Sequence, residues 1–597
     1  MVSHHPAAPD PRRRARRRQM IVRGAVGVLV VVFAGAVWVG VRGSMAKTEL
    51  ESAIPLASAI KGQVLSDDPE SAQASVEQLA EHASRAAALT SDPIWRAFEV
   101  VPFLGTNLTG VREIAAVVDD VSQNVVGPLA TIAGALDPTV FRPVDGAINL
   151  DPLVAAQPRI ASAHTALVRA ESNALAIDTT RTLSVVRDAA QQLSTTVTDT
   201  AVSVGALNRA VEIVPAMLGH AGPRNYVLLF QNPAELRSTG GIPGALALIH
   251  TENGRIELAQ QASSTDFPRH DAPVITLPTD TRSIYGDVTG QFVQNVNLTP
   301  NFALSGQIAQ QMWNLRFGLQ ADGVISVDPV TLSYLLRATG PITLPTGEVL
   351  TADNAVQLLL GDAYEKYEPI QQNDFFAGAA AAVFTAVSGG DVDPVALIEA
   401  LGEAGGEHRV LVWSAHPDEQ AVLADTTIAG GLPVSTAAEK TFGVYLNDGT
   451  GSKMDLYLDV QYAVGRKTCR QDKRPTFGVD VTLTNSAPAD AALSLPLYVT
   501  GGGDFGVPPG NIKTMVSAYG APDMDNLGLT RDGAVVPYHP ATDGGYPVST
   551  LDVELAPGES TVLRFEWLGA EPFDGDLTVQ STPLINLPET QELAARC

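Results

Sequence analysis

At 597 residues the chain is too long for a single core, and 45% hydrophobic against 17% charged residues excludes wholesale disorder. Setting aside the seven arginines and Asp10 of the first 23 residues leaves 32 basic and 64 acidic residues, a formal charge of about −32 that makes nucleic acid an improbable partner. The two cysteines, Cys469 and Cys597, offer no metal-ligand spacing.

Residues 1–23 form a basic tail that leads into "GAVGVLVVVFAGAVWVGV", residues 24–41. At 1.5 Å per residue this uncharged run spans about 27 Å, which predicts a transmembrane helix. The alternative is a cleaved signal peptide, but the apolar run is long for one and "VRGSMAK" lacks a clean cleavage site. The arginines are expected to stay cytoplasmic, which places the rest of the chain outside the plasma membrane.

Residues 45–220 carry apolar positions every three or four residues, as in "SAQASVEQLAEHASRAAAL", and predict a helical bundle or stalk. "SDDPESAQ" and "DPLVAAQ" start helices with aspartate and proline, and "VPFLGTNLTG" (101–110) reads as a break between helices. Over 222–430 short strand-like runs ("YVLLF", "ALALIH", "RIELAQQA", "GVISV", "RVLVWSA") alternate with helical ones and predict an α/β layered domain. Asp328 and Pro329 open one of its helices and Gly340-Pro341 ends it. Residues 440–597 alternate with period two ("KMDLYLDVQYAV", "TFGVDVTLTNSA", "LSLPLYVTGG", "STLDVELAPGES") and predict a β-sandwich. The fold class is thus multidomain α+β. In an oxidising exterior Cys469 and Cys597 are expected to form a disulfide, with two free thiols as the alternative.

The chemistry concentrates in one corner. Asn225–Asn232 reads as a strand and "PAELRSTGG" as its connection, where Gly240 and Gly241 allow close backbone approach to a ligand. Arg237 lies at that strand end, and "SSTDFPRHD" is expected to bring Asp266, Arg269 and Asp271 to the same edge. Arginine forks with carboxylates suit a metal-bridged pyrophosphate: Arg237 and Arg269 bind phosphate oxygens, and Asp266 or Asp271 holds Mg²⁺. A structural Arg–Asp salt bridge explains the same residues equally well. His250, His270, His408 and His416 read as structural, Ser263 and Ser264 lack a nucleophile elbow, and "NLT" at 107 and 297 accepts glycan only in a host that adds it.

"LLFQNPAELRSTGGIPGALALI" with "DGVISVDPVTLSYLLRATGPI" resembles the domain-of-unknown-function family 4012 of Gram-positive surface proteins. That resemblance implies an envelope protein and brings no activity with it. The order of elements is also similar, more remotely, to the LytR-CpsA-Psr domain, whose members transfer glycopolymers from a polyprenyl-pyrophosphate carrier to a cell-wall acceptor. Against that family's Arg-Ser-Asp-Thr turn, Arg237-Ser238-Thr239 matches the first two positions; "SSTDF" keeps Asp266 without the arginine of the family's run, and Gln372 and Asn373 fall where it has an Arg-Gln pair. The resemblance implies a transferase-like domain binding or transferring a lipid-linked glycopolymer, in which Asp266 is the catalytic residue that deprotonates the acceptor hydroxyl. The competing reading is a non-catalytic envelope adhesion or scaffolding protein in which the same corner is structural.

Overall fold

The computed structural model describes residues 11–65, 69–132, 142–144, 146–389 and 392–594. It is a multidomain α+β protein of two compact units, one comprising Met1–Val140 with Asp151–Val214 and the other Phe141–Leu150 with Pro215–Cys597.

The first unit is helical. Its α1 (Pro11–Leu65) is a single 55-residue helix, so the apolar run 24–41 is the middle of a longer element and not a separate one. The stretch Arg18–Ala57 is long and apolar enough to cross a membrane, with a mean hydropathy of 2.4 in a window that is only 6% buried. Then come α2 (Pro69–Thr90), α3 (Pro93–Phe98), α4 (Gly105–Val121), a π-helical turn at Ser122–Val126, α5 (Gly127–Ala130), α6 (Asp151–Leu175) and α7 (Ser184–Met217). The break expected at 101–110 is shorter than its motif, because α4 restarts at Gly105. The aspartates expected to cap α2 lie outside the described residues. Ala163, Ala166, Leu167, Ala170 and Ala174 of α6 recur at helical spacing and pack on Val117, Val197 and Val204. The periodicity in the sequence is this face.

The second unit holds three main sheets. Strands β1 (Arg224–Arg237), β2 (Gly240–Glu252), β3 (Arg255–Ser263), β4 (Gly323–Val327) and, beyond the small hairpin β5 (Ile342–Thr343) and β6 (Val349–Leu350), β7 (Leu411–Ser414) make one sheet of order β3-β2-β1-β4-β7. Only β1 and β4 pair in parallel, from Tyr226↔Gly323 to Phe230↔Val327; the other neighbours are antiparallel. Between β3 and β4 lie α8 (Thr279–Tyr285) and α9 (Phe302–Phe317), and α9 buries Phe302, Ile308 and Trp313 on Val227, Leu229 and Val324 of the sheet. After β4, α10 (Pro329–Thr339) starts as its sequence predicts: the Asp328 carboxylate accepts from Thr331 N at 2.7 Å, and Gly340 ends the helix at φ 73°.

The other two sheets share a single core. β8 (Glu439–Asp448) lies in a five-stranded sheet and β9 (Leu458–Lys467) in a six-stranded one, and Phe442, Phe477, Phe565 and Trp567 meet between them. "LSLPLYVTGG" is not a strand: it forms two helical turns, Ala491–Ser494 and Leu497–Thr500. Pro496 has no N–H for a ladder, and Gly501 and Gly502 take positive φ.

Near the C-terminus, Thr590–Glu592 adds in parallel to β9, and Leu593 N donates to Val464 O at 2.9 Å. Cys469, just past the end of β9, is disulfide-bonded; Cys597 lies outside the described residues. Peptide mapping of the non-reduced protein is expected to return Cys469 linked to Cys597, a closure of over 100 residues that stabilises by several kcal/mol in the chain-entropy view. Two free thiols, or a Cys469 link between chains, would contradict it.

Candidate functional site

The corner is built by the β1–β2 hairpin, which is longer than its sequence suggests. β1 does not stop at Asn232. Its register with β2 breaks between Asn232 and Leu236 and then resumes, with Leu236 opposite Gly241 and Arg237 opposite Gly240, so the turn itself is only Ser238-Thr239. The bulge falls where Pro233 supplies no N–H, and the Asn232 side chain accepts from Ala234 N at 3.0 Å. Gly240 has φ 137°, and a Cβ there would sit 2.3 Å from Gln231 Oε1. A Cβ on Gly241 would lie 2.0 Å from the Asn232 carbonyl oxygen. The close approach that both glycines permit is made within their own hairpin.

Arg237 is enclosed, at 8% exposure, and not open to solvent as expected. Its hydrogen bonds go to neutral oxygens: Leu236 O at 2.9 Å, Asp448 O at 3.2 Å and Asn295 Oδ1 at 3.2 Å. The rest of the turn is equally engaged. Leu236 N donates to Asp455 Oδ2 at 2.7 Å and Ser238 N to Asn447 Oδ1 at 3.1 Å, while the Ser238 carbonyl accepts from Thr582 Oγ1 at 3.1 Å. Asn297 is buried too, donating to Thr239 Oγ1 and Gly241 O, so its "NLT" faces inward. The Leu236 side chain belongs to the core of the two C-terminal sheets.

Around the turn lies a buried charge cluster that periodicity does not reveal. Lys453 Nζ meets Glu235 Oε2 at 2.5 Å and sits 4.4 Å from the Tyr364 ring and 4.9 Å from that of Tyr498. Burial acts to lower the Lys453 pKa, but Glu235 and the two tyrosines outweigh it and the net shift is upward. Burial also draws the Arg237 guanidinium below its usual value, opposed by Asp448, Glu235 and Asp455. The Asp455 carboxyl is held well above the aspartate range by burial and by the charge of Asp448, and Asp448 is raised by burial in turn. With Asp455 protonated, two cations balance Glu235 and Asp448. Asp455 Oδ1, which has no hydrogen-bond partner, is then not a stranded charge.

A second anchor was also missed in sequence. Arg409 is buried, pairing with Asp328 at 2.8 Å and Glu407 at 2.5 Å and donating to Leu584 O at 2.6 Å. Of these groups, only the Asp448-Gly449-Thr450-Gly451 turn had a local signal: its carboxylate accepts from Thr450 N and Gly451 N, the usual habit of an aspartate at a turn.

The remaining predicted residues have partners other than Arg237. The Asp266 carboxylate accepts from Ser263 N at 2.8 Å and caps its own 3₁₀ turn, and its carbonyl takes Arg316 Nε at 2.7 Å. Arg269 is exposed with its guanidinium 5.4 Å from the Phe292 ring, and Asp271 is exposed, its carbonyl accepting from Gln291 Nε2. None of the three is a hydrogen-bond or ion-pair partner of Arg237 among the described residues. No group of three or more His, Cys, Asp or Glu side chains is gathered to hold a metal among the described residues. His416 joins a structural clamp with Asp322 (2.9 Å), which also accepts from Arg224 and Asn225 N. In the helical unit an open cleft of about 410 Å³ runs between α4 and α6 beside the Arg169–Asp120 pair.

Because burial and the charge of Asp448 raise the Asp455 carboxyl in the folded protein, its contribution to stability is complete below the usual aspartate pKa and declines as pH rises towards the raised folded value. Asp455→Asn keeps an acceptor for Leu236 N and removes the titration. It is expected to gain stability relative to the native protein as pH rises over the range above the usual aspartate pKa, by at most about 1.4 kcal/mol per pH unit. Denaturant midpoints across that range would show it; a pH-independent difference, or one of opposite slope, would contradict a protonated Asp455.

A family model described as a protein of unknown function (DUF4012) matches residues 221–364. The matched segment runs from just before β1 to Tyr364, and so includes the hairpin, Asp328 with its helix, and the Lys453-facing tyrosine. No curated protein is similar enough to the chain to count as a relative.

Proposed function

We propose that this is a single-pass, membrane-anchored, extracytoplasmic protein of the cell envelope that acts as a non-catalytic scaffold or adhesion body. The carrying observation is the enclosure of Arg237: the residue that would have to clamp a pyrophosphate is buried, with both of its Nη nitrogens already donating to oxygens inside the fold. The basic tail keeps the N-terminus in the cytoplasm, α1 crosses the plasma membrane, and the sheets present their surfaces on the cell-wall side. Transfer of a lipid-linked glycopolymer would instead require Arg237 and Arg269 to face one ligand. The exposed Arg269, Asp266 and Asp271 are the part of that predicted set free to meet solvent, and they lack the fourth member.

Arg237→Ala distinguishes the two readings. As a structural group its loss leaves buried carboxylates short of a cation, so the variant is expected to lose about 3–5 kcal/mol of stability, and polyprenyl pyrophosphate should not raise the melting temperature of the native protein. A stable Arg237→Ala variant, together with a native protein protected by that lipid and a variant that is not, would overturn the scaffold and restore the transferase.

A further inference from the structure

The end of the helical unit formed by α3 and the start of α4 carries apolar side chains that the fold leaves uncovered. Ile94, Val100, Val101, Phe103 and Leu104 are all exposed, Val100 at 82% and Phe103 at 92%. Phe103 also holds a positive φ of 67°, an uncommon conformation for a bulky residue, and its carbonyl is secured by Asn107 Nδ2 at 2.8 Å. Leu183 and Val185 add to the patch from the next turn, where Leu183 N donates to Asn107 Oδ1 at 2.7 Å.

The position of this tip along α1 says what covers it. Arg42, stacked 5.0 Å from the Trp38 ring and paired with Asp92 at 3.1 Å, marks the level at which the apolar run ends and polar contacts begin. From Asp92, which caps it, α3 runs back down the spanning helix. Val39 and Trp95 are buried together, Trp95 abuts Gly43, and a Cβ on Gly35 would lie 2.6 Å from the Phe98 ring. Gly35 is seven residues before Arg42, about 10 Å deeper along the helix. The residues after Phe98 turn at that depth, and the one acid there, Glu99, is paired with Arg112 at 2.6 Å.

We propose that the α3–α4 tip, residues 94–104, is a second membrane-contacting element that sits in the headgroup and upper acyl region of the bilayer beside the spanning helix, on the side of the folded units. Its partner is the phospholipid surface, and the exposed apolar side chains of the tip stand beside α1, against which Trp95 and Phe98 pack. A tip of this kind would hold the helical unit at a fixed height and tilt on the membrane, where a lone spanning helix would let it swing. The inference rests on α1 crossing the membrane.

The test is spin-label depth measurement on the full-length protein in phosphatidylcholine–phosphatidylglycerol nanodiscs, with single labels at Phe103→Cys, Val100→Cys, Val31→Cys in the span and Val349→Cys in the second unit. At positions 103, 100 and 31 collisions with oxygen are expected to exceed those with a water-soluble nickel chelate, with the order reversed at 349. Labels at 103 and 100 that meet the nickel chelate while that at 31 does not would overturn the tip and leave the anchor intact. A label at 31 that meets the chelate would overturn both.

Discussion

The second unit depends on seating one hairpin tip, Leu236 to Gly241, in the interior. Leu236 gives its side chain to the core of the C-terminal sheets while its N–H is taken by Asp455, and Ser238 is held through both its N–H and its carbonyl. Burying a guanidinium, an ammonium and three carboxyl groups costs several kcal/mol per uncompensated ion, so the arrangement holds only if charge and hydrogen bonding nearly balance. Glu235 against Lys453, neutral acceptors around Arg237 and an Asp455 carboxyl whose pKa burial raises serve that balance. Arg409, between Asp328 and Leu584 O, repeats the solution at a second point. A joint fixed by so many mutually dependent polar contacts favours a rigid body over a site that opens for substrate.

Much of the architecture was legible because burial imposes a period. The five runs read as strands in 222–430 are the five strands of the first sheet, and Asp328 with Pro329 marks a helix start that the structure repeats. Elsewhere the local chemistry had two meanings. An arginine followed by a double glycine reads equally well as a phosphate grip and as a tight hairpin, since both need a backbone without Cβ; the atoms that decide are Gln231 Oε1 and the Asn232 carbonyl, reached only once the bulge is known. Asp448, Lys453 and Asp455 are 200 residues or more from Arg237 and sit in a segment that reads as polar turn and strand, so nothing local announces their burial. "LSLPLYVTGG" failed for a simpler reason: its alternation is real, but Pro496 denies it a ladder.

The first unit obeys a different constraint. Its alanine-rich helices pack closely around α6, while the long α1 and the tip beside it leave their apolar surface uncovered. In water such exposure would invite association; next to a bilayer it is the expected finish of a surface that meets lipid. The resemblance to a family of unknown function extends over 221–364 and so includes the hairpin but neither the helical unit nor the C-terminal sheets. Partners of those flanking parts must be sought from their own surfaces.

Amide hydrogen exchange of the full-length protein in nanodiscs tests the joint most directly, because it reads the backbone of the tip itself. If the hairpin end is a sealed part of the core, the amides of Leu236 and Ser238 should exchange as slowly as those of the central strand Thr476–Asn485, through global unfolding alone. Exchange within seconds at the tip, with that strand still protected, would mean that the corner opens on its own and would contradict the account.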